Sequence, residues 1–428
     1  MIRSGALVRL GCMSHKRPKA RMVEPERRQG VIRFEMPEDS LAVKHAARVL
    51  WQITGQLDLS GFMRHAKAVE GHAGRPLYSP HMLLTLWLYA ISRGVGSARE
   101  IARLTETDLA YRWITGEMRV SHQLLSRFRV GYGEVLEQLM TDVLAALLHK
   151  GLLSLQMVAQ DGTRVRGSAS APSFRSERAL EQCLEQAQLH LKAVLAQADD
   201  PELSMAHKAA REAGARDFER RVREAIATVK QLRPSAKGKA RVSTTDPEAR
   251  VMKMPDGGFR PGYNVQFAVA GSPMGGPRTV VGLRVTNVGS DMNSLTPMLE
   301  DIERRTGTQP AQLLADANHT AHDDIRAVAA QGVELLAPVP QRTRNSRKAH
   351  ADVISDWLAR MQSNPSTTPE AKRTMRARAS LCELANAHFK HRFGLDQIIV
   401  RGTAKVTCVA LLAALTFNLL QHAARMLS

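Results

Sequence analysis

Between residues 263 and 338 the hydrophobic period changes in close order, and this limits the chain to a sheet with helices packed on it. Tyr263-Asn-Val-Gln-Phe-Ala-Val-Ala270 alternates, residues 271–277 read as a turn, and residues 279–286 form a second β-rich run. Helical patterns at 294–305 and 321–331 then alternate with short apolar runs at 312–316 and 333–338. A hairpin followed by strand–helix alternation predicts a mixed sheet with helices on its faces.

One earlier strand carries a polar signature. Leu155-Gln-Met-Val-Ala-Gln-Asp161-Gly-Thr-Arg-Val-Arg166 reads as a short apolar strand ending on a carboxylate, followed by Gly162, Arg164 and Arg166. An Asp-Gly step after a strand is commonly a turn. It also suits a metal ion or a phosphate-bearing partner. The run at 312–316 ends in the same way, on Asp316. Arg164 and Arg166 then read either as phosphate contacts beside the two carboxylates or as a solvated edge.

The remaining segments are mostly helical. From about 36 to 152 the pattern predicts a helical domain. Ser79-Pro80 opens one helix, and Ser97-Ala-Arg-Glu100 is a capping box in which Ser97 and Glu100 each satisfy an amide. Helices at 98–106 and 121–130 resemble a helix-turn-helix with a long connection, in which Arg127 and Arg129 either meet phosphates or form a solvated face. Residues 177–232 predict a helical hairpin inserted between strands, and 233–262 are loop-like. A basic loop at 341–350 precedes helices at 351–363, 368–391 and 403–426. Residues 1–35 read as a flexible basic arm, either a DNA-contacting tail or a solvated leader.

Charge narrows the partner. The 428 residues include 60 Lys and Arg against 41 Asp and Glu, a formal net charge of +19. Such an excess usually answers a polyanion, and neutralising phosphates releases their condensed counterions. Nucleic acid is the first expectation. The longest apolar run, 406–420, is interrupted by Thr416 and Asn418 and falls short of the roughly 20 residues a bilayer span needs. The four cysteines form no C-x-x-C pair, so neither a disulfide framework nor a zinc site is indicated. The expectation is a soluble cytoplasmic protein without membrane contact.

In the 368–391 helix, Arg376, Glu383 and Lys390 are spaced seven apart, hence on one face of a regular helix. A carboxylate between two cations suits a metal ligand whose neighbours grip phosphates; a solvated charged face has the same spacing.

With these residues in hand, the chain resembles the DDE transposases of bacterial insertion sequences, in the group with the motif Y-x2-R-x3-E-x6-K. Glu383-x6-Lys390 matches the second half. In the first half Ala379 stands at the Arg position, beside Arg378, and Arg376 stands at the Tyr position. Similar stretches are 158–166, 246–250, 262–266, 314–319 and 400–406, and the likeness spans about 36–426. It implies an α+β, α/β-type architecture: a helical DNA-binding domain (36–152), then a ribonuclease-H-like mixed-sheet catalytic domain (153–426) with the hairpin at 177–232 inserted.

The resemblance also implies Asp161, Asp316 and Glu383 as metal-binding catalytic residues, holding two Mg2+ or Mn2+ ions. Ions about 3.5–4 Å apart stabilise both the attacking and the leaving oxygen in phosphoryl transfer. Lys390 would contact DNA at the element's ends; for Arg376, which stands at the Tyr position, a DNA contact is expected from its spacing alone. The implied activity is strand cleavage and strand transfer at terminal inverted repeats by a bacterial, nucleoid-associated homodimer. Two other readings keep the fold: a catalytically decayed DNA-binding remnant, and a general ribonuclease-H-like nuclease. Asp246, Asp323 and Asp324 are competing carboxylates, the first in a loop and the others read as helix caps. Asn318 and His319 read as turn formers or as supports for Asp316.

Overall fold

The strand that carries Asp161 runs on past it. The computed structural model describes residues 36–64, 77–197, 203–232, 240–272, 274–339, 353–363 and 376–427. The basic arm 1–35, the basic loop 341–350 and the first part of the 368–391 helix lie outside the described residues. The strands are β1 (Met157–Arg166), β2 (Phe174–Arg175), β3 (Val242–Ser243), β4 (Arg250–Lys253), β5 (Phe259–Ala270), β6 (Thr279–Thr286), β7 (Gln312–Leu314) and β8 (Glu334–Leu336). One sheet has the order β4-β5-β1-β7-β8, with β6 also paired to β5. A strand has two edges, so β4 and β6 share the edge of β5 that faces away from β1. The β1–β5, β4–β5 and β5–β6 pairs are antiparallel, whereas β1–β7 and β7–β8 are parallel. The sheet is mixed, as the periodicity predicts.

Six helices precede the sheet: α1 (Ala46–Thr54), α2 (Pro80–Ser92), α3 (Ala98–Thr107), α4 (Leu109–Thr115), α5 (His122–Gly131) and α6 (Gly133–His149). Ser79 caps α2 by accepting from the Met82 amide. Every residue from Met82 to Ser92 is buried, as befits a helix apolar on all sides. Only half of the capping box forms: Ser97 Oγ accepts from the Glu100 amide, while the Glu100 carboxylate binds Arg103. The expected helix-turn-helix is replaced by three helices, because Asp108 starts α4 inside the connection by accepting from the Ala110 and Tyr111 amides.

The inserted hairpin is α7 (Glu177–Ala196) and α8 (Met205–Leu232), with Leu180, Ala225, Val229 and Val242 as its own small core. At its base β2 pairs with β3. The stretch read as loop-like, 233–262, therefore contains β3, β4 and the start of β5. Short strands at a sheet edge leave little periodicity to detect.

The C-terminal elements are α9 (Leu295–Thr306), α10 (His322–Ala330), α11 (Val353–Ser363), α12 (376–392) and α13 (Thr403–Met426). α13 is long and apolar enough to cross a membrane. Here it packs against α1, α2, α5, α6 and β6. Its Asn418 is fully buried, accepting from the Val280 amide at 2.8 Å and donating to the Val280 carbonyl at 2.9 Å. One continuous core joins the six leading helices to the sheet, and residues 37–428 form a single compact unit.

Candidate active site

Asp161 and Asp316 are brought together by strand register. Met157 pairs with Gln312 and Ala159 with Leu314, an offset of 155 residues. Asp161 and Asp316 differ by the same offset and lie two residues beyond the last pair. β1 itself continues to Arg166, with Asp161 opposite Phe267 of β5. Asp161 therefore neither ends its strand nor forms a turn. What ends at its level is the pairing with β7, which gives way to a short 3-10 turn, Ala317–His319, capped by Asp316. The two carboxylates sit where the parallel strands part.

Their surroundings differ. Asp161 Oδ1 accepts from the Gly162 amide and Oδ2 from Asn386 Nδ2, each at 2.9 Å. Burial pushes the Asp161 carboxyl up from its ordinary pKa; Arg378 and His319 pull it back, and Asp316 adds to the rise. Asp316 Oδ1 accepts from the Asn318 amide at 2.8 Å and from His319 Nδ1 at 2.6 Å. Burial would raise this group too, but the His319 hydrogen bond, the His319 charge, the Asn318 amide and Arg378 outweigh it and hold it at about 2. His319 is fully buried, so it is more than a turn former. Its Nε2 faces Gln266 Oε1 at 3.3 Å, which fixes the ring.

Behind Asp161 runs a buried polar network. Gln266 Nε2 and Asn264 Nδ2 donate to Asp291 Oδ1, at 2.5 and 2.7 Å. Arg164 Nη2 donates to the Gly289 carbonyl at 2.9 Å and reaches Asp291 Oδ2 at 3.5 Å. This network accounts for Gly162. A Cβ there would overlap Gln266 Nε2 and Asp291 Oδ1 and come within 2.9 Å of Asn264 Oδ1. The glycine makes room for side chains crossing the strand.

α12 lies over β1 and β5, held by Phe389 stacked on Phe267 at 4.2 Å between ring centroids. The helix is irregular: Ala379–Glu383 and His388–Arg392 are π-helical. Each such turn shifts the residues beyond it around the axis, so Arg376, Glu383 and Lys390 lose the single face expected of a regular helix. Glu383 is 63% exposed, and its Oε1 lies 3.7 Å from Arg378 Nη2. The two are five residues apart, the spacing that a π turn stacks. Arg378, one residue before the position that the motif gives to arginine, thus lies within ion-pair reach of Glu383. Asn386, three residues on, is the α12 side chain that touches Asp161. The sequence reading missed it, although its spacing of three from Glu383 and four from Lys390 would put it on their stripe in a regular helix.

The remaining candidates divide. Lys390 is half-buried; burial lowers its pKa, while Asp396 and Asp161 act in the opposite sense. Arg166 is paired with Asp396, so it is not an unengaged phosphate contact. Arg376 and Arg127 are exposed. Arg129 corrects an expectation: it is only 6% exposed, lies over the Trp87 ring at 5.0 Å and donates to the Gly96 carbonyl at 2.6 Å. It is a core residue. Among the rival carboxylates, Asp246 is buried and bonded to the Tyr263 hydroxyl. Asp324 receives the Thr296 amide and hydroxyl, bracing the start of α9 rather than its own helix. Asp323 pairs with Arg326.

Among the described residues no three His, Cys, Asp or Glu side chains gather closely enough to share an ion. The Asp161–Asp316 pair is still chemically suited to a hard divalent cation, which takes oxygen ligands and retains several waters. A further observation fits such an ion: Asn386 Oδ1 is buried beside the pair and has no hydrogen-bond partner.

The architecture, a helical region followed by a mixed-sheet region with helices, fits an α+β ribonuclease-H-like DDE domain. Comparison with known families agrees. Residues 38–130 match the family described as Transposase domain (DUF772), and residues 340–423 match the Transposase DDE domain. The second match covers Glu383, Asn386 and Lys390. No curated protein and no solved structure matches the chain. The two family matches, in this order on one chain, support a DDE transposase of an insertion sequence.

Proposed function

We propose that this transposase cleaves DNA strands at the terminal inverted repeats of its element and joins the 3′ ends to target DNA, using divalent cations held by Asp161, Asp316 and Glu383. The observation that carries the reading is the shared register of Asp161 and Asp316 beneath a helix bearing Glu383, Asn386 and Lys390. Bound Mg2+ or Mn2+ would activate the attacking oxygen and stabilise the leaving one. Asp161 and Asp316 would anchor the cations, with His319 holding the Asp316 carboxylate in place. Glu383 would join them by leaving Arg378, and Arg378 would then be available for a phosphate. Lys390, desolvated near Asp161, would meet the strand being cut, with Arg376 and Arg127 farther along the DNA. Arg164 and Arg166 are engaged with Asp291 and Asp396 and would act on DNA only by exchanging those partners.

A homodimer on paired ends, and separate roles for 36–152 in DNA binding and 153–426 in catalysis, belong to the same proposal. The test is cleavage and joining of DNA carrying the flanking repeats. Asp161→Asn, Asp316→Asn and Glu383→Gln should each remove strand cleavage in Mg2+ or Mn2+ while binding to the same DNA persists. Full cleavage by the Asp161 or Asp316 variant would refute the metal site; full cleavage by Glu383→Gln would remove only the third carboxylate.

A further inference from the structure

We propose that Asn386 is a working member of the metal site: its side-chain oxygen is a ligand to the cation that Asp161 and Asp316 hold. The inference rests on the metal reading of that pair and adds a neutral oxygen donor that the three-carboxylate pattern does not contain.

Three observations carry it. First, Asn386 is in direct contact with the site, donating from Nδ2 to Asp161 Oδ2 at 2.9 Å across 225 residues of sequence. That bond fixes the amide's orientation, because the reverse would set two oxygens against each other. Second, Oδ1, covalently next to that nitrogen, is buried and without a hydrogen-bond partner. A buried acceptor left unpaired costs about 1–3 kcal/mol, which makes an unassigned partner there energetically significant. Third, the site has a shortage of ligands. Glu383 is exposed and beside Arg378, and His319, the histidine at the pair, is engaged through Nδ1 with Asp316 and through Nε2 with Gln266, so no third His, Cys, Asp or Glu among the described residues completes an ion site.

An amide oxygen is a recognised ligand type for hard divalent cations. Being neutral, it completes coordination without adding a third mutually repelling charge. Nδ2 can keep its bond to Asp161 while Oδ1, the unpaired end of the same amide, meets the cation. The helix around it is held by Phe389 on Phe267 and need not move.

The test is Mn2+ binding to the full-length, metal-free protein, followed by the electron paramagnetic resonance signal of free Mn2+, with circular dichroism as a check on folding. Asn386→Ala should weaken Mn2+ binding at least tenfold, and Asn386→Asp, which keeps an oxygen in place, should bind within threefold of the parent or more tightly. If Asp161→Asn weakens binding but Asn386→Ala stays within twofold of the parent, the Asn386 inference is overturned and the metal reading stands. If Asp161→Asn has no effect, both fall. Should Asn386→Ala fail to fold, Asn386→Asp decides alone: tenfold weaker binding by that variant overturns the proposal.

Discussion

Asp161 and Asp316 stand at one level of two neighbouring parallel strands, each two residues past the last pair that β1 and β7 share. Neighbouring strands lie roughly 4.8 Å apart, so the register brings the two residues close enough for Asp316 to act on Asp161 electrostatically. Two like charges so placed disfavour each other's ionised form. Their settings differ: Asp161 is pushed up, chiefly by burial and in smaller part by Asp316, whereas His319, the Asn318 amide and Arg378 hold Asp316 at about 2 against burial.

Asp316 should therefore contribute to acid stability in a defined window. Its pKa falls from 3.8 unfolded to about 2 folded, so its contribution is complete above pH 3.8 and is lost as pH falls through 2. At roughly 1.4 kcal/mol per unit this is at most about 2.5 kcal/mol, less what solvent screening removes. In chelator, the gap in melting temperature between the parent and Asp316→Asn should close between pH 4 and pH 2. A gap constant over that interval would contradict the assignment.

His319 should act through Asp316. Removing such a supporting partner typically costs 10–100-fold in metal affinity or activity. His319→Ala should raise the Mg2+ concentration needed for half-maximal cleavage, and His319→Gln, which retains a donor, should recover part of the loss. An unchanged Mg2+ dependence in both variants would reduce the histidine to packing.

Gly162 should not tolerate a side chain. A Cβ there forces Gln266 and Asp291 aside, and overpacking of this kind costs about 1–3 kcal/mol. Chemical denaturation of Gly162→Ala should show the loss; a midpoint equal to the parent's would mean that the crossing network is not formed.

Arg127 and Arg129 should separate cleanly. Arg127→Ala should leave stability unchanged, weaken DNA binding and lower the salt slope by about one. Arg129→Met should lower stability by about 1–3 kcal/mol through the abandoned Gly96 carbonyl, with DNA affinity of the folded protein unchanged. Reversed behaviour of the two would restore Arg129 as a DNA contact.

Local pattern made much of this architecture legible. The 279–286 strand and the 403–426 helix end where their periodicity does, and the two aspartates stood out because each closes an apolar run. The misreadings arose where partners are distant in sequence. Gly162 looks like a turn until Asn264, Gln266 and Asp291 are folded against it. Arg129 looks like its neighbour Arg127 until Trp87 lies beneath it. Glu383 and Arg378 violate an α-helical motif yet meet through a π turn, which has no sequence period of its own.

α13 also sets a schedule. The six leading helices are fully synthesised once His149 is made, but the last-made turn of α13, ending at Met426, comes 277 residues later. At about 5–20 residues per second, the interval is on the order of 15–55 s. Until α13 is made, the faces of α1, α2, α5 and α6 that pack against it lack that partner. A ribosome halted before Thr403 would hold the leading helices and the sheet without the helix that packs on both. The leading helices thus wait for their C-terminal partner through about two thirds of translation.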